Sequence, residues 1–331
     1  MTQAKPATDV RVSIIIPAYN EAPVIGAFLA QLQEAMAGLV DCAMEILVIN
    51  DGSTDTTAQI VKEAAARDPR LRLLSFGRNL GHQRALIAGL EHARGAAVVM
   101  MDADGQHPPQ KARELVEDWL QHPSRHVIQA VRGGSQGGAG KDWSSALFYW
   151  CMRKLCPEFS IMAGMSDFRL LDREAVALLS RYPDRHRNLR LLVASLPMPV
   201  HFVEYGVAPR LGGASKYTFS KMLHLAADGL FAYSNFPLRL SLYLSCVTAA
   251  ASLGFFAYAV AVRWRGETAW GWASIVCLIS GLFSGVFGIL AIVSEYVARI
   301  YEDVRARPLY WVDPSNSCGL DSGHDGAEEG K

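Results

Sequence analysis

Two stretches of this chain are too long and too apolar for an ordinary soluble domain. Leu240 to Val262 is an uncharged run of 23 residues and Ala269 to Ser294 is another of 26, and each exceeds the roughly 20 residues a helix needs to cross a ~30 Å hydrocarbon core. Buried core helices are the alternative, but those run about 10 to 14 apolar residues and keep a polar stripe. Both stretches read as membrane-spanning helices. Only Arg263 to Thr268 joins them, so the pair is expected to form a hairpin with the chain before it and the chain after it on one side of the bilayer. Arg239, Arg299, Arg305 and Arg307 flank that side, which favours the cytoplasm, although Arg263 and Arg265 in the turn weaken the asymmetry. Met1 to Arg11 contains Lys5, Asp9 and Arg11 without an apolar core, so no secretory signal is expected there. Gly281, Gly285 and Gly288, with Ser280 and Ser284, give the small-residue spacing of close helix packing, either within the hairpin or between protomers of a homo-oligomer.

The remaining chain has a different composition. Between Leu240 and Ser294, 55 residues carry three charges; the other 276 carry 61, about 22%, near the ~25% of soluble domains. Lys plus Arg and Asp plus Glu are equal at 32 each, so there is no basic excess to suit a nucleic-acid partner, and a chain that is 50% hydrophobic is not disordered. The six cysteines (Cys42, Cys151, Cys156, Cys246, Cys277 and Cys318) form no C-x-x-C pair, and two lie inside the apolar runs. Reduced thiols are expected, not a disulfide framework or a zinc site.

From Val10 to about Val131, short β-branched runs alternate with helical patterns. Strands are expected at Val12 to Pro17, Met44 to Asn50, Leu71 to Ser75, Ala96 to Asp102 and His126 to Val131, with helices near Pro23 to Ala37, Thr56 to Arg67, Gly81 to Ala93 and Pro109 to Gln121. That order predicts an α/β fold with a doubly wound, mostly parallel sheet, whose ligands bind beyond the carboxyl ends of the strands. Unusual residues cluster there: Pro17-Ala18-Tyr19-Asn20-Glu21 after the first strand, Asn50-Asp51-Gly52-Ser53-Thr54-Asp55 after the second, and Asp102-Ala103-Asp104-Gly105-Gln106 after the fourth. No G-x-G-x-x-G follows the first strand, which argues against a dinucleotide fold. The glycine-rich stretch from Gly133 to Asp142 fails the P-loop register, with Ser135 where glycine is needed and Asp142 where Ser or Thr is needed; it reads as a mobile loop. Asp102 and Asp104, one residue apart at a strand terminus, can offer oxygen ligands to Mg²⁺ or Mn²⁺ with positions left for diphosphate oxygens. Ser53 or Asp55 suits a cap before Thr56, while Asp51 is expected to face the ligand.

Seven ordered blocks resemble the inverting family-2 glycosyltransferases, specifically the polyprenyl-phosphate branch with dolichol-phosphate mannose synthases and bacterial undecaprenyl-phosphate sugar transferases. They are Ser13 to Glu21, Asn50 to Asp55, Asn79 to Gly89, Asp102 to Pro109, Ser166 to Arg173, Arg210 to Tyr217 and Glu295 to Tyr310. The resemblance implies a GT-A type nucleotide-sugar fold in which Pro17, Tyr19, Glu21 and Asp51 hold the nucleoside. It places Asp102, Asp104 and Gln106 around the metal and donor diphosphate, and closes Arg210 and Lys216 over the phosphates. Asp167 lies where inverting relatives place their acceptor-side acid, for base work or orientation of the acceptor, the alternative being a cap for a helix from Asp172 to Leu179. Arg169 binds the acceptor phosphate or pairs with Asp167. Two positions depart from the family pattern: Asn50 stands where Asp is common and keeps hydrogen-bonding capacity, and Gly105 stands where Leu is common and loosens the turn before Gln106.

The implied reaction is attack by a polyprenyl-phosphate oxygen, expected to be undecaprenyl phosphate, on the anomeric carbon of a UDP- or GDP-sugar, with inversion. The implied organisation is a cytosolic catalytic domain over 1–214, interfacial amphipathic helices over 215–238, a transmembrane hairpin over 239–295 (about 240–262 and 269–294) and a cytosolic tail over 296–331, in a bacterial inner membrane. Ser215 to Leu238 and, less distinctively, Trp143 to Leu155 carry apolar residues among basic ones, as either membrane-surface or core-packed helices do. A processive synthase is disfavoured because Arg263-Trp264 lacks the Q-x-x that precedes R-W in those enzymes. A catalytically silent scaffold retaining the fold is the remaining alternative.

Overall fold

The structure is a computed structural model that describes residues 10–39, 42–133, 165–182, 189–206, 236–265, 271–305 and 307–320. The chain divides into two compact units: one contains the sheet and, from Pro308 onward, the segment after the long helices; the other contains those helices.

The first unit is built on strands β1 (Val12–Ala18), β2 (Met44–Asn50), β3 (Leu71–Ser75), β4 (Ala97–Met100), β5 (Val127–Arg132), β6 (Met165–Asp172) and β7 (Val200–Tyr205) in the order β3-β2-β1-β4-β6-β5-β7. All run parallel except β6, which is antiparallel to β4 and β5. Helices α1 (Ala22–Met36), α2 (Thr57–Ala65), α3 (His82–His92), α4 (Pro109–Gln121), α5 (Arg173–Ser180) and α6 (Leu189–Ala194) accompany it. The expected doubly wound, mostly parallel sheet is present. The first four strands are buried on both faces, which is why they read as unbroken apolar runs. Ile14, Ile16, Ile46, Val48, Leu73 and Val99 face α1 and α4 in one core, while the alternate residues Ile15, Leu47, Ile49, Leu74, Val98 and Met100 are buried on the other face.

Two features follow from the register. Pro17 comes after the last β1–β4 pair, Ile15 with Met100, so its missing N–H costs that ladder nothing. The outer edge of β3 is not open: antiparallel bridges join Leu73 to Cys318 and Phe76 to Val312, so the segment beyond the long helices lies along it.

The second unit contains α7 (Phe236–Trp264) and α8 (Trp272–Val304). Stretches Pro237–Val262 and Leu278–Glu302 are long and apolar enough to cross a membrane, with 6% and 0% of the most apolar 18 residues of each buried. A soluble core helix of that hydropathy would be mostly buried. The hydroxyls in α7 satisfy themselves along the helix: Ser245 donates to the Ser241 carbonyl at 2.8 Å, Thr248 to that of Leu244 at 3.0 Å and Ser252 to that of Thr248 at 2.9 Å. At Gly285 a Cβ would come within 2.6 Å of Thr248 Cγ2, so α7 and α8 meet where the small residue allows it, whereas Gly281 faces open space.

Candidate active site

The C-terminal ends of β1 to β5 and the start of β6 share one edge of the sheet, and the polar turns collect there. The β1–α1 and β2–α2 turns are interlocked. Asn20, at φ 55, accepts from the Thr54 amide through Oδ1 at 2.9 Å and donates its own amide to Ser53 Oγ at 3.0 Å. Asp55 accepts from the Thr57 amide at 2.9 Å and hydroxyl at 2.5 Å through one oxygen, and from the Ala22 amide at 3.2 Å through the other. One carboxylate thus serves the first turns of both α1 and α2, and these hydrogen bonds hold its pKa low against a burial effect that would raise it.

Gly52 lies where this turn touches the β3–α3 loop. Its φ is 63 and a Cβ would sit 2.2 Å from the Arg78 carbonyl carbon, so only glycine fits. Asp51 is 3% exposed, and its oxygens accept the amides of Leu80 at 2.6 Å and Gly81 at 2.9 Å. Burial raises its pKa, opposed by those two amides. Each oxygen of the Asp51 carboxylate is thus engaged by the loop that leads into α3. Asn50 accepts from the Ser53 amide at 3.1 Å and donates to Ser75 Oγ at 3.3 Å.

Over the ends of β1, β2 and β3 these turns enclose a cleft of about 550 Å³, lined among others by Tyr19, Ser53, Phe76, Arg78 and Asn79, within the range of small-ligand sites. Of the four residues expected to hold a nucleoside, Tyr19 lines it; Pro17 is buried in β1, and Glu21 and Asp51 are not in its lining. Arg78, a cation on the wall, was not singled out by any motif.

Asp102 and Asp104 follow β4, next to β1 in the sheet. The Asp102 amide donates to His107 Nδ1 at 2.8 Å, which fixes His107 as the tautomer protonated at Nε2. His107 is fully buried, stacks on Phe168 with centroids 4.8 Å apart, and its pKa is lowered first by that burial. The neutral ring sets the turn from beneath. Asp104 Oδ1 accepts the Gln106 amide at 3.0 Å, and Gly105 between them has φ 80, a conformation a leucine would adopt only under strain. The Asp102 side chain is 33% exposed, and two carboxylates on one turn are the hard oxygen donors that Mg²⁺ or Mn²⁺ prefers. Gln106 Oε1 accepts from Arg132 Nη2 at 3.0 Å, so the side chain expected as a third metal ligand is engaged by Arg132 in this arrangement.

Asp167 is the hub of a buried network. It is 2% exposed and receives Arg190 through two nitrogens, Nε to Oδ1 at 3.1 Å and Nη2 to Oδ2 at 2.9 Å. His82 Nε2 lies 3.3 Å from Oδ2 and Arg169 Nη2 3.4 Å from Oδ1. Burial alone would raise the Asp167 pKa, but His82, Arg190 and Arg169 together hold it far below the usual carboxylate range. A carboxylate held so firmly ionised is a poor proton acceptor, so its geometry suits orientation and not base work. Neither is it a helix cap: Asp172 caps α5 by accepting the Ala175 amide at 2.8 Å. Arg169 cannot meet a phosphate, being fully buried and donating to the Ser166 carbonyl at 2.9 Å; burial lowers its pKa to about 10. The exposed cation here is Arg190, 40% exposed at its side chain.

His82, at the start of α3, also approaches Asp102 Oδ1 at 3.6 Å, so it links the carboxylates after β4 and in β6. Partial removal from water lowers its pKa, and the hydrogen bond to Asp167 with the charges of both aspartates more than offsets this, for a net rise.

A further group, His126, Asp172 and Glu174, brings ligand atoms within 4.8 Å of one another. Asp172 pairs with Ala97 at the start of β4, at the opposite end of the strands from Asp102, and is already spent on the α5 cap and on His126 at 2.6 Å; the group takes no part in this site. Arg210, Lys216, most of Ser215 to Leu238, the glycine-rich stretch beyond Gly133 and Trp143 to Leu155 lie outside the described residues.

Residues 13–179 match the family model described as Glycosyl transferase family 2. The uncharacterized glycosyltransferase YkcC of Bacillus subtilis (strain 168) is 35% identical over 309 residues, covering 92% of this chain and 94% of that one. The SfII prophage-derived bactoprenol glucosyl transferase of Shigella flexneri is 33% identical over 309 residues, covering 92% of this chain and 98% of that one. Among solved structures, a glucosyl-3-phosphoglycerate synthase from Mycobacterium tuberculosis aligns over 70% of this chain and 84% of its own with a TM-score of 0.48 at 18% identity. With the family's region spanning β1 to α5 and its relatives matching almost end to end, the chain is a glycosyltransferase and belongs to glycosyl transferase family 2.

Proposed function

We propose that the protein transfers a sugar from a nucleotide-sugar to a polyprenyl phosphate, with undecaprenyl phosphate the expected lipid, at the cytosolic face of a bacterial membrane. The observation that carries this reading is the presence in one chain of a cleft over the ends of β1 to β3, a carboxylate pair after the neighbouring strand β4, and two long apolar helices that are almost wholly unburied. Similarity to a bactoprenol glucosyl transferase along nearly its whole length supports the same acceptor class. The proposed organisation is a catalytic domain over 1–214, interfacial helices over 215–238 that hold the site at headgroup level, a spanning hairpin over 239–295 and a cytosolic tail.

In the proposed reaction an acceptor phosphate oxygen forms a bond to the anomeric carbon as the bond to the donor diphosphate breaks, with inversion. A phosphate monoester has a second pKa near 6 and is mostly dianionic at neutral pH, so no strong base is required. That agrees with a strongly ionised Asp167, whose part is to hold Arg190 and His82 in place; Arg190 then meets the acceptor phosphate, the role the sequence reading gave to Arg169. The nucleoside end of the donor occupies the cleft beside Tyr19 and Arg78, and Asp51 shapes that cleft through the Leu80–Gly81 loop. Asp102 and Asp104 would hold Mg²⁺ or Mn²⁺, which when bound neutralises charge on the departing diphosphate. Arg210 and Lys216 are proposed to close over the same phosphates.

The test is transfer by the detergent-solubilised full chain from a panel of labelled UDP- and GDP-sugars to undecaprenyl phosphate. A chloroform-soluble, acid-labile sugar-phosphate lipid is expected with one donor. Transfer only to water-soluble acceptors would overturn the reading.

A further inference from the structure

The segment after α8 belongs to no motif of the donor site, yet it builds one of the walls. The Asp313 amide donates to the Ser75 carbonyl at 2.7 Å, and the Ser75 amide donates to Ser317 Oγ at 3.0 Å. Side chains from three other elements anchor it. Lys62 of α2 donates to the Ser315 carbonyl at 2.9 Å and to Asn316 Oδ1 at 3.1 Å. Tyr310 stacks on Phe76 with centroids 5.3 Å apart and donates to Glu91 Oε2 of α3 at 2.7 Å; burial and then the Glu91 charge raise its pKa, so the phenol keeps the proton it donates. Arg72 of β3, paired with buried Glu45 at 2.5 Å, donates Nε to the Gly319 carbonyl at 2.9 Å.

Between these anchors Asp313 closes a 3₁₀ turn, Pro314–Asn316, by accepting the Ser315 amide at 3.0 Å and Asn316 Nδ2 at 2.9 Å. Asp313 and Asn316 line the cleft together with Tyr19, Ser53 and Arg78. The turn is also wired into the strand ends. Ser75 Oγ gives its proton to the Asn316 carbonyl at 2.7 Å, which leaves a lone pair for Asn50 Nδ2 at 3.3 Å, and Asn50 Oδ1 takes the Ser53 amide at 3.1 Å. An aspartate at position 50 has no proton to give Ser75, so the tail contact accounts for asparagine there.

We propose that the turn Asp313–Asn316 is a positioning element of the donor site, the wall against which the nucleoside of a nucleoside diphosphate is held. The inference rests on the reading of the cleft as the nucleotide-sugar site. Three strand positions separate β3 from β4, about 14 Å at ~4.8 Å per strand, so the turn bounds the end of the site remote from Asp102 and Asp104. It acts on the nucleoside and not on the diphosphate. Its anchors fix it before the ligand arrives, which lowers the ordering cost of binding.

The test is calorimetric titration of the full chain in detergent micelles with UDP, with GDP, and with Mn²⁺-pyrophosphate as a probe lacking the nucleoside. In Asn316→Ala and Asp313→Ala the affinity for the nucleoside diphosphate that the wild type prefers is expected to fall about tenfold, with pyrophosphate affinity within about twofold of wild type. Unchanged nucleoside diphosphate binding in both variants, or an equal loss for pyrophosphate, overturns the proposal while the donor reading stands. A wild type that binds neither UDP nor GDP overturns both. Amide exchange on the wild type needs no variant to fold: nucleoside diphosphate is expected to slow exchange at residues 313–318 and pyrophosphate is not, and exchange there indifferent to the nucleoside also overturns the proposal.

Discussion

Arg190 grips Asp167 side-on, through Nε at 3.1 Å and Nη2 at 2.9 Å, and it does so from α6, twenty-three positions along the chain. A planar fork is needed for that geometry, and lysine has none. Arg190→Lys is therefore expected to behave much like Arg190→Ala, each lowering sugar transfer about 100-fold with a raised KM for the polyprenyl phosphate. Donor affinity should stay near wild type. Steady-state kinetics with each substrate varied in turn checks it, and full activity in Arg190→Lys would remove Arg190 from the acceptor site.

Removing the carboxylate charge of Asp167 leaves Arg169 and Arg190 against a neutral amide. Asp167→Asn should cost about 3 to 5 kcal/mol, the usual range for breaking one side of a buried pair. The folded-state pKa of Asp167 lies below the unfolded value of about 3.9, so its stabilisation is complete above that value and disappears as pH falls towards the folded pKa. Thermal melts in micelles from pH 6 to pH 3 should show a constant gap between wild type and variant above about pH 5 and a shrinking gap below about pH 4. A gap that widens with acid would contradict this assignment.

The carboxylates after β4 predict a metal requirement. EDTA should lower transfer at least 100-fold, with Mn²⁺ or Mg²⁺ restoring it, and Asp104→Asn should lose about 100- to 1000-fold. Mn²⁺ binding followed by electron paramagnetic resonance gives a readout independent of turnover: Asp102→Asn and Asp104→Asn should each weaken it, and Gln106→Ala should not. Wild-type rates in EDTA would dismiss the metal.

Gly52→Ala places a Cβ 2.2 Å from the Arg78 backbone at a φ of 63. The left-handed conformation alone costs roughly 1 to 2 kcal/mol for an L-residue, and the clash parts two loops that both line the cleft. A lowered melting temperature together with weakened UDP or GDP binding is expected. Retention of both would mean the β2–α2 and β3–α3 turns are not in contact.

Gly285→Ala tests the helix pair. The new Cβ would meet Thr248 Cγ2 at 2.6 Å, and Thr248 resists turning aside because its hydroxyl bonds the Leu244 and Ser245 carbonyls. A loss of about 1 kcal/mol or more is expected in micelles, against no change for Gly281→Ala, which faces open space.

Much of the nucleotide half was legible because its strands are buried on both faces: Ile14-Ile15-Ile16 and Val98-Val99-Met100 announce themselves as apolar runs, and Asp102 to Gln106 stands out against them. β6 was not legible as a strand. Its Ser166, Asp167 and Arg169 look like loop chemistry, and they are tolerated in a buried strand because each side chain finds a partner: Ser166 Oγ meets Tyr205 Oη at 3.3 Å, His82 and Arg190 bond Asp167, and Arg169 donates to the Ser166 and Leu189 carbonyls. In edge strand β7, partly exposed, His201 and Glu204 interrupt Val200, Phe202, Val203 and Tyr205, so its apolar run is broken where those of the central strands are continuous. Arg190 had no motif around it, and the exchange of roles between Arg169 and Arg190 is decided by burial, which spacing along the chain does not encode. The same holds for Asp51 and Gln106, whose free-looking oxygens are taken by Leu80, Gly81 and Arg132.

The docking of residues 312–318 on β3 sets an order of events during biosynthesis. Every strand of the sheet is translated before α7, and the segment that covers the β3 edge is translated after α8. Until the chain beyond both apolar helices has been made, β3 presents unpaired backbone groups and Phe76 lacks the Tyr310 ring that stacks on it. A nascent chain arrested between α8 and Tyr310 would carry a sheet with one sticky margin, the kind of edge that recruits foreign strands. The sheet therefore closes last at that margin, and only a chain made past both long helices holds the residues that seal it.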